Sequence, residues 1–123
     1  MKEIKTNEAP GAIGPYVQGY AAGGLVYTSG QLPADPVTGA LPEGIAAQAE
    51  QSCKNVAAVL LAGGAAPETV IKTTCFLSDM NDFAAFNEVY ARWFVNKPAR
   101  SCVAVKTLPK NALCEIEAVA ELK

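Results

Sequence analysis

The chain has 123 residues, of which half are apolar, 18% are charged and none is histidine. This length predicts one domain with a single core over residues 1–123. The net charge of −2 and the dispersed Lys and Arg exclude a basic stripe for nucleic acid, and the lack of histidine excludes Ser-His or Cys-His nucleophile pairs.

The sequence predicts no targeting signal and contains no C-x-x-C motif. The first eight residues mix charges of both signs, and no segment is apolar enough for a signal peptide or a membrane span. We therefore expect a cytoplasmic protein with no membrane partner. The four cysteines form no C-x-x-C pair, and we expect them to be buried free thiols; they are Cys53, Cys75, Cys102 and Cys114.

The first third of the chain predicts strands followed by a long loop. Strands are expected at Ile4, over residues 16–21 and over residues 25–29, with Gly23-Gly24 as the turn between the last two. The density of glycine and proline over residues 30–44 is incompatible with a helix or a strand. Long loops in compact domains often have functional roles.

Two helices and a strand follow. Apolar residues at three-to-four spacing predict a helix over residues 45–62 that ends at Gly63-Gly64, and residues 70–77 predict a strand. Residues 78–81 offer N-cap candidates for a second helix, which Pro98 is expected to stop. The apolar stripe of this helix comprises Phe83, Phe86, Tyr90 and Phe94.

The last two strands are expected over residues 100–107 and 113–122, joined by a turn at 108–112. The resulting order is β-β-β-α-β-α-β-β, an α+β pattern. Right-handed crossovers place both helices on one face of the sheet. The opposite face would then be uncovered, so we expect a homo-oligomer, without a copy number.

Four side chains are candidates for chemistry when they are considered one by one. Asn87 lies on the apolar stripe, where a buried amide pinning a backbone group is the simplest interpretation. Arg100 opens a strand and could clamp a carboxylate, although an arginine there is more often a surface charge. Glu115 belongs to an acidic strand face, which is either solvated or could activate water. Tyr16 could contact a ligand or fill the core.

The relation between Arg100 and Glu115 stays open at this point. A shift of one residue in the register of the last two strands would move either side chain to the other face of the sheet.

Several segments together resemble the RidA (YjgF-like) family. The matching segments, in family order, are Pro10–Gly19, Thr28–Gln31, Val70–Thr74, Asn81–Phe83, Pro98–Val103 and Glu115–Ala118. Pro-Ala-Arg-Ser-Cys-Val, residues 98–103, is the most specific of them. The resemblance extends over nearly the whole chain.

The resemblance implies a chorismate-mutase-like α+β fold with a mixed six-stranded sheet, two helices on one face, and a homotrimer around a central barrel of sheets. It implies that Arg100 grips a substrate carboxylate and that Glu115 positions or activates water. It also implies a cleft between subunits. The further residues expected to line this cleft are Tyr16, Ser29, Gly30, Asn87 and Cys102.

The implied activity is that of a hydrolase, a 2-iminobutanoate/2-iminopropanoate deaminase. It would convert the enamine and imine products of pyridoxal-phosphate-dependent dehydratases to 2-keto acids and ammonia, with neither metal nor cofactor. An alternative is a non-catalytic protein that binds or senses small 2-keto acids through the same cleft. RNA cleavage, attributed to some relatives, has little support in the acidic composition. The preferred imino acid stays open.

Overall fold

The computed structural model describes all 123 residues and contains one six-stranded sheet with two helices. Single 3₁₀ turns lie at Pro67–Thr69, Met80–Asp82 and Pro109–Asn111. The helices are α1 (Ile45–Ala62) and α2 (Phe83–Trp93). The strands are β1 (Lys2–Ile4), β2 (Gly19–Ala22), β3 (Leu25–Thr28), β4 (Val70–Leu77), β5 (Ala99–Ala104) and β6 (Cys114–Glu121).

The sheet is mixed, as expected, with the strand order β1-β2-β3-β6-β4-β5. Every neighbouring pair is antiparallel except β4 and β5, which are parallel. The expected pairing of the last two strands is wrong, because β4 lies between them. α2 is the crossover that brings β5 parallel to β4, and the turn at Pro109–Asn111 then carries the chain to the other side of β4.

Helix α1 has the predicted bounds. It ends where the N–H of Gly63 donates to the carbonyls of Val59 and Leu60, and Gly64 follows with a φ of 91°, which favours glycine. Its long buried face packs on β3 and β6 and against α2.

Helix α2 differs from the prediction at both ends. The predicted N-cap in residues 78–81 is wrong for this helix, because its N-cap is Asp82 and has no side-chain cap. The Asp79 side chain instead accepts the N–H of Asn81 in the preceding 3₁₀ turn. The helix ends at Trp93, so Pro98 does not stop it directly. Phe94 already has non-helical backbone angles (φ −106°, ψ 69°).

The two faces of the sheet differ as the α+β argument requires. In β6 the residues facing the helices are buried, whereas Glu115, Glu117, Val119 and Glu121 point to the opposite, outer face. No element of the chain covers that outer face. Separately, no helix is both long and apolar enough to cross a membrane.

The predicted loop over residues 30–44 is present and is tied to the core at two points. Gln31 forms a two-way backbone bridge with Ile116, beside β6. Further along, the Asn55 side-chain amide donates to the carbonyls of Leu32 and Ala34, both at 2.9 Å. These bonds hold the start of the loop beside the strand that carries Glu115.

Three of the four cysteines are buried and Cys102 is partly buried, all as free thiols. The expectation of free thiols is therefore confirmed.

Candidate active site

Arg100 lies near the start of β5, directly beside Thr73 in the parallel pairing with β4. Thr73 is fully buried on the helix-facing side of the sheet, so Arg100 points to the same side. The guanidinium reaches α2, where its Nη1 donates to Asn87 Oδ1 at 2.7 Å. The interpretation that Asn87 pins a backbone group is therefore not what the structure shows. The partner of its side-chain oxygen is the Arg100 guanidinium.

Two aromatic rings of α2 flank the same guanidinium. The Cζ of Arg100 lies 4.7 Å from the ring centroid of Tyr90 and 5.5 Å from that of Phe83. We call Arg100, Asn87, Phe83, Tyr90 and Thr73 the arginine cluster. Arg100 has no carboxylate within salt-bridge distance, since the single ion pair of the structure joins Arg92 to Glu88 on the surface of α2.

Glu115 lies on the other side of the sheet, paired with Phe76 of β4, and its carboxylate is half-buried. Burial raises the pKa of this carboxyl, and the negative charge of Glu117 on the same face raises it further. A Cβ added to Gly30 would lie 2.8 Å from Glu115 Cδ and closer still to Oε1. Glycine at position 30 therefore makes room for the carboxylate.

Tyr16 and Ser29 line the same cleft as Gly30 and Glu115, with a volume of about 470 Å³. Tyr16 is 49% exposed, so the simpler expectation that it fills the core is wrong. The strand predicted from Tyr16 begins only at Gly19, which leaves Tyr16 in a loop. The hydroxyl of Ser29 donates to the carbonyl of Val17 at 2.5 Å and joins this loop to the end of β3. We call Glu115, Gly30, Ser29 and Tyr16 the glutamate cleft.

The seven expected site residues therefore form two groups within one chain. Arg100, Asn87 and Cys102 belong to the helix-facing side of the sheet, whereas Glu115, Gly30, Ser29 and Tyr16 belong to the glutamate cleft. β5 and β6 share no register, because β4 lies between them, and Arg100 and Glu115 point to opposite faces. Within one chain the guanidinium and the carboxylate therefore lie on opposite sides of the sheet.

Cys102 lies two residues after Arg100 and beside Cys75 in the sheet. Burial raises the pKa of its thiol, and the nearby Arg100 charge opposes that shift without reversing it. The thiol is therefore protonated at neutral pH. This agrees with the interpretation of Cys102 as a lining residue and not a nucleophile.

Sequence reasoning missed three members of the arginine cluster. The sequence pattern places Phe83 and Tyr90 on the apolar stripe of the second helix and indicates no role for Thr73. The spacing could have indicated the two aromatic residues. Phe83 lies four residues before Asn87 and Tyr90 three after, which places both rings on the same helical face as the amide. No group of three or more His, Cys, Asp or Glu side chains has the arrangement of a metal site.

Comparison with known families gives a match over residues 6–122 to the family described as Endoribonuclease L-PSP. The chain is 51% identical to the 2-iminobutanoate/2-iminopropanoate deaminase of Salmonella typhimurium, over 97% of this chain and 96% of that protein. It is 50% identical to a Lactococcus lactis protein named as the regulator AldR, covering 100% and 99% of the two chains.

Solved structures agree with this assignment. The crystal structure of Escherichia coli TdcF with bound serine has a TM-score of 0.96 and 48% identity, with complete coverage of both chains. The matching family model, the relatives at about half identity and the shared fold agree with the motif resemblance. The chain belongs to the L-PSP endoribonuclease family, which includes the RidA and YjgF proteins that its motifs resemble.

Proposed function

We propose that this protein is a 2-iminobutanoate/2-iminopropanoate deaminase whose active site forms between two copies of the chain in a homotrimer. The observation that carries the proposal is the state of Arg100. It is a half-buried guanidinium, oriented by Asn87 and two aromatic rings, with no carboxylate of its own chain as a partner.

An arginine in this state is suited to bind a small acid. A guanidinium offers five N–H donors in a planar fork that matches a carboxylate with two parallel hydrogen bonds. Asn87 accepts from one of these donors and the two rings accept no hydrogen bond from the guanidinium, so the remaining N–H donors stay free. The carboxylate of a 2-imino acid would complete the set and place the imine carbon at a defined distance from Arg100.

Glu115 has the properties of a group that handles the protons of hydrolysis. As water adds to the carbon of the protonated imine, the carboxylate would take a proton from the water, giving a neutral carbinolamine oxygen. The carboxyl would return that proton to the amine. The C–N bond would then break as the C=O bond forms, while the carboxylate takes the hydroxyl proton and passes it to solvent. The products are the 2-keto acid and ammonia. The raised pKa of Glu115 suits both transfers. It makes the carboxylate a stronger base toward water, and the resulting carboxyl can still give its proton to the amine.

The position of the two groups on opposite faces supports a composite site. If the outer face of one copy meets the β5 edge of another, the glutamate cleft of the first faces the arginine cluster of the second. In a ring of identical heterologous interfaces, every interface would contain one such site. The same contact would cover the outer face, where Tyr27 and Val103 are 45% and 47% exposed.

The relatives support the same chemistry. The Salmonella protein is named for this deaminase reaction, and the TdcF crystals contain serine, a small molecule with a carboxylate next to an amine. Both fit a cleft that recognises a 2-amino or 2-imino acid.

The test measures 2-ketobutyrate and pyruvate release by a threonine/serine dehydratase with wild-type protein, with Arg100→Ala and with no addition. We expect acceleration by the wild type and a loss of roughly 10- to 150-fold in kcat/KM for Arg100→Ala, the effect of removing charge-assisted hydrogen bonds. Arg92→Ala is the matched control, because Arg92 is an exposed arginine of α2 away from the cluster. Absence of acceleration by the wild type for any small imino acid would contradict the proposal.

A non-catalytic acid-binding role is the second candidate, favoured by the name of the Lactococcus lactis relative as a regulator. Binding requires Arg100 but no proton transfer. Glu115→Gln separates the two, since it should lower deaminase turnover by about 100-fold, in the range of general base effects, and leave 2-ketobutyrate binding in place. Binding without any turnover by the wild type would favour the regulatory role.

A further inference from the structure

The face of the Arg100 guanidinium is held by a ring that the proposed reaction does not use. Tyr90 is 8% exposed, and its ring centroid lies 4.7 Å from Arg100 Cζ. At this distance the positive guanidinium interacts with the negative face of the ring, and its one hydrogen bond is the bond to Asn87. The ring therefore supports the guanidinium without occupying its other N–H donors.

The Tyr90 ring is itself fixed on several sides. Its hydroxyl lies 2.6 Å from the hydroxyl of Thr73, which is fully buried. Phe86 and Phe94 contact the ring from the preceding and following turns of α2, at centroid distances of 5.9 and 4.6 Å. Tilting the ring would break the buried hydrogen bond and disturb the aromatic stack.

The hydrogen bond to Thr73 links the Tyr90 ring to the backbone next to Arg100. In the parallel pairing of β4 and β5, Thr73 is the direct neighbour of Arg100. The chain of contacts runs from Thr73 through the Tyr90 hydroxyl and ring to the guanidinium. Tyr90 and Asn87 together thus restrict the position of the guanidinium relative to the sheet.

An aromatic support differs from a carboxylate support in its effect on the charge. A neighbouring Asp or Glu would neutralise Arg100 and compete with the carboxylate of a ligand. A neutral phenol does not, and burial raises the pKa of Tyr90 to about 12, which keeps the phenol protonated at neutral pH. Arg100 is held in place with its full charge available.

We infer that Tyr90, locked by its hydrogen bond to Thr73, is a positioning residue that orients Arg100 for carboxylate binding. This inference rests on the proposed role of Arg100. It assigns Tyr90 a functional part beyond packing the core of α2.

The test measures the affinity for 2-ketobutyrate, a stable 2-keto acid, by titration calorimetry on the full-length protein. Tyr90→Phe keeps the ring and removes the hydroxyl, and Thr73→Val removes the other end of the bond. We expect each to weaken binding about three- to tenfold, with turnover at saturation within about twofold, since a clamp acts on substrate and transition state alike. The double variant should resemble either single variant, because both remove one shared bond.

A control variant separates positioning from loss of stability. Val26→Ala removes part of a fully buried side chain of β3 that lies outside the arginine cluster, so it should lower the melting temperature and leave the affinity for 2-ketobutyrate unchanged. Wild-type affinity in both Tyr90→Phe and Thr73→Val, with binding lost in Arg100→Ala, would overturn the role of Tyr90 and leave the proposed function intact.

A second measurement addresses Arg100 directly by NMR of its side-chain Nε–H. We expect slow solvent exchange in the wild type and an exchange rate about fivefold or more higher in Tyr90→Phe and Thr73→Val, because the guanidinium is then free to move. If Arg100→Ala bound 2-ketobutyrate like the wild type, the proposed function would fail. The role of Tyr90 in orienting Arg100 would then be decided by the Nε–H exchange rate alone. Equal exchange in all three proteins would overturn it.

Discussion

The arginine cluster and the glutamate cleft are built in different ways. The guanidinium of Arg100 is held inside one chain by an amide, two rings and a buried hydroxyl pair. The Glu115 carboxylate has no hydrogen-bond partner in its own chain and lies in an open cleft beside a glycine and the half-exposed Tyr16. One half of the site is thus pre-organised by the fold, and the other half is open on the outer face.

This difference indicates where specificity and assembly arise. A group that must recognise a fixed shape, such as a carboxylate, gains from rigid support within its own chain. A cleft on an uncovered sheet face is completed only when a second copy of the chain packs against that face. We therefore expect recognition of the acid to be a property of the single chain and turnover to be a property of the assembly.

The largest effect is expected when the arginine cluster and the glutamate cleft are inactivated in separate chains and the two variants are then co-expressed. Arg100→Ala and Glu115→Gln should each be nearly inactive, whereas their co-expression should restore activity. In random mixed rings about a quarter of the interfaces combine an intact Arg100 with an intact Glu115 from the adjacent chain. The measurement is the dehydratase-coupled rate per protomer of the purified mixture.

The control for this experiment is co-expression of Arg100→Ala with the double variant Arg100→Ala/Glu115→Gln, which contains no intact arginine. Its activity per protomer should not exceed that of Arg100→Ala alone. If the first mixture also failed to exceed its parents, the composite site would be wrong.

A smaller effect comes from crowding the glutamate cleft alone. Gly30→Ala forces the Glu115 carboxylate to move, because the new Cβ would overlap it. We expect kcat to fall roughly 10- to 100-fold, as displacements of about 1 Å in a catalytic group do, while 2-ketobutyrate binding to Arg100 changes little. Gly11→Ala is the matched control, since a Cβ there has no atom within 4 Å. Equal kcat in both variants would remove Glu115 from the chemistry.

Glu117→Gln should shift the pH dependence without removing a catalytic group. Burial raises the pKa of Glu115 first and the charge of Glu117 raises it further, so the variant lowers that pKa. A general base works when ionised, and the acidic limb of the kcat profile should therefore move to lower pH. Glu121→Gln, on the same face but farther along β6, should leave the limb in place. A shift to higher pH for Glu117→Gln would contradict the assignment.

The smallest effect is expected at Cys102. Because burial keeps its thiol protonated, Cys102→Ser should retain turnover within about threefold of the wild type. The measurement is the same coupled assay, with and without a thiol-blocking reagent. Complete loss of turnover in Cys102→Ser with an unchanged fold would indicate covalent catalysis and contradict the proposed water mechanism.

The elements whose signals are local were predicted well. Helix α1 and strand β4 have the predicted bounds, because periodic apolar residues and glycine or proline punctuation determine them without reference to distant parts of the chain. The alternation in β6 likewise predicted an acidic outer face. Tyr16 was harder, since the same aromatic residue suits a core and a cleft, and only its place in a loop distinguishes them.

The sequence by itself determined the family, the α+β pattern, the uncovered sheet face and the candidate residues, because motif spacing and hydrophobic period are local properties. Only the tertiary structure decided how these residues combine. Strand order depends on which edges pair after the crossover through α2, and this pairing separates β5 from β6 by one strand. With this strand order Arg100 contacts Asn87 and Tyr90 while Glu115 lies on the opposite face, which is why the proposed site needs two copies.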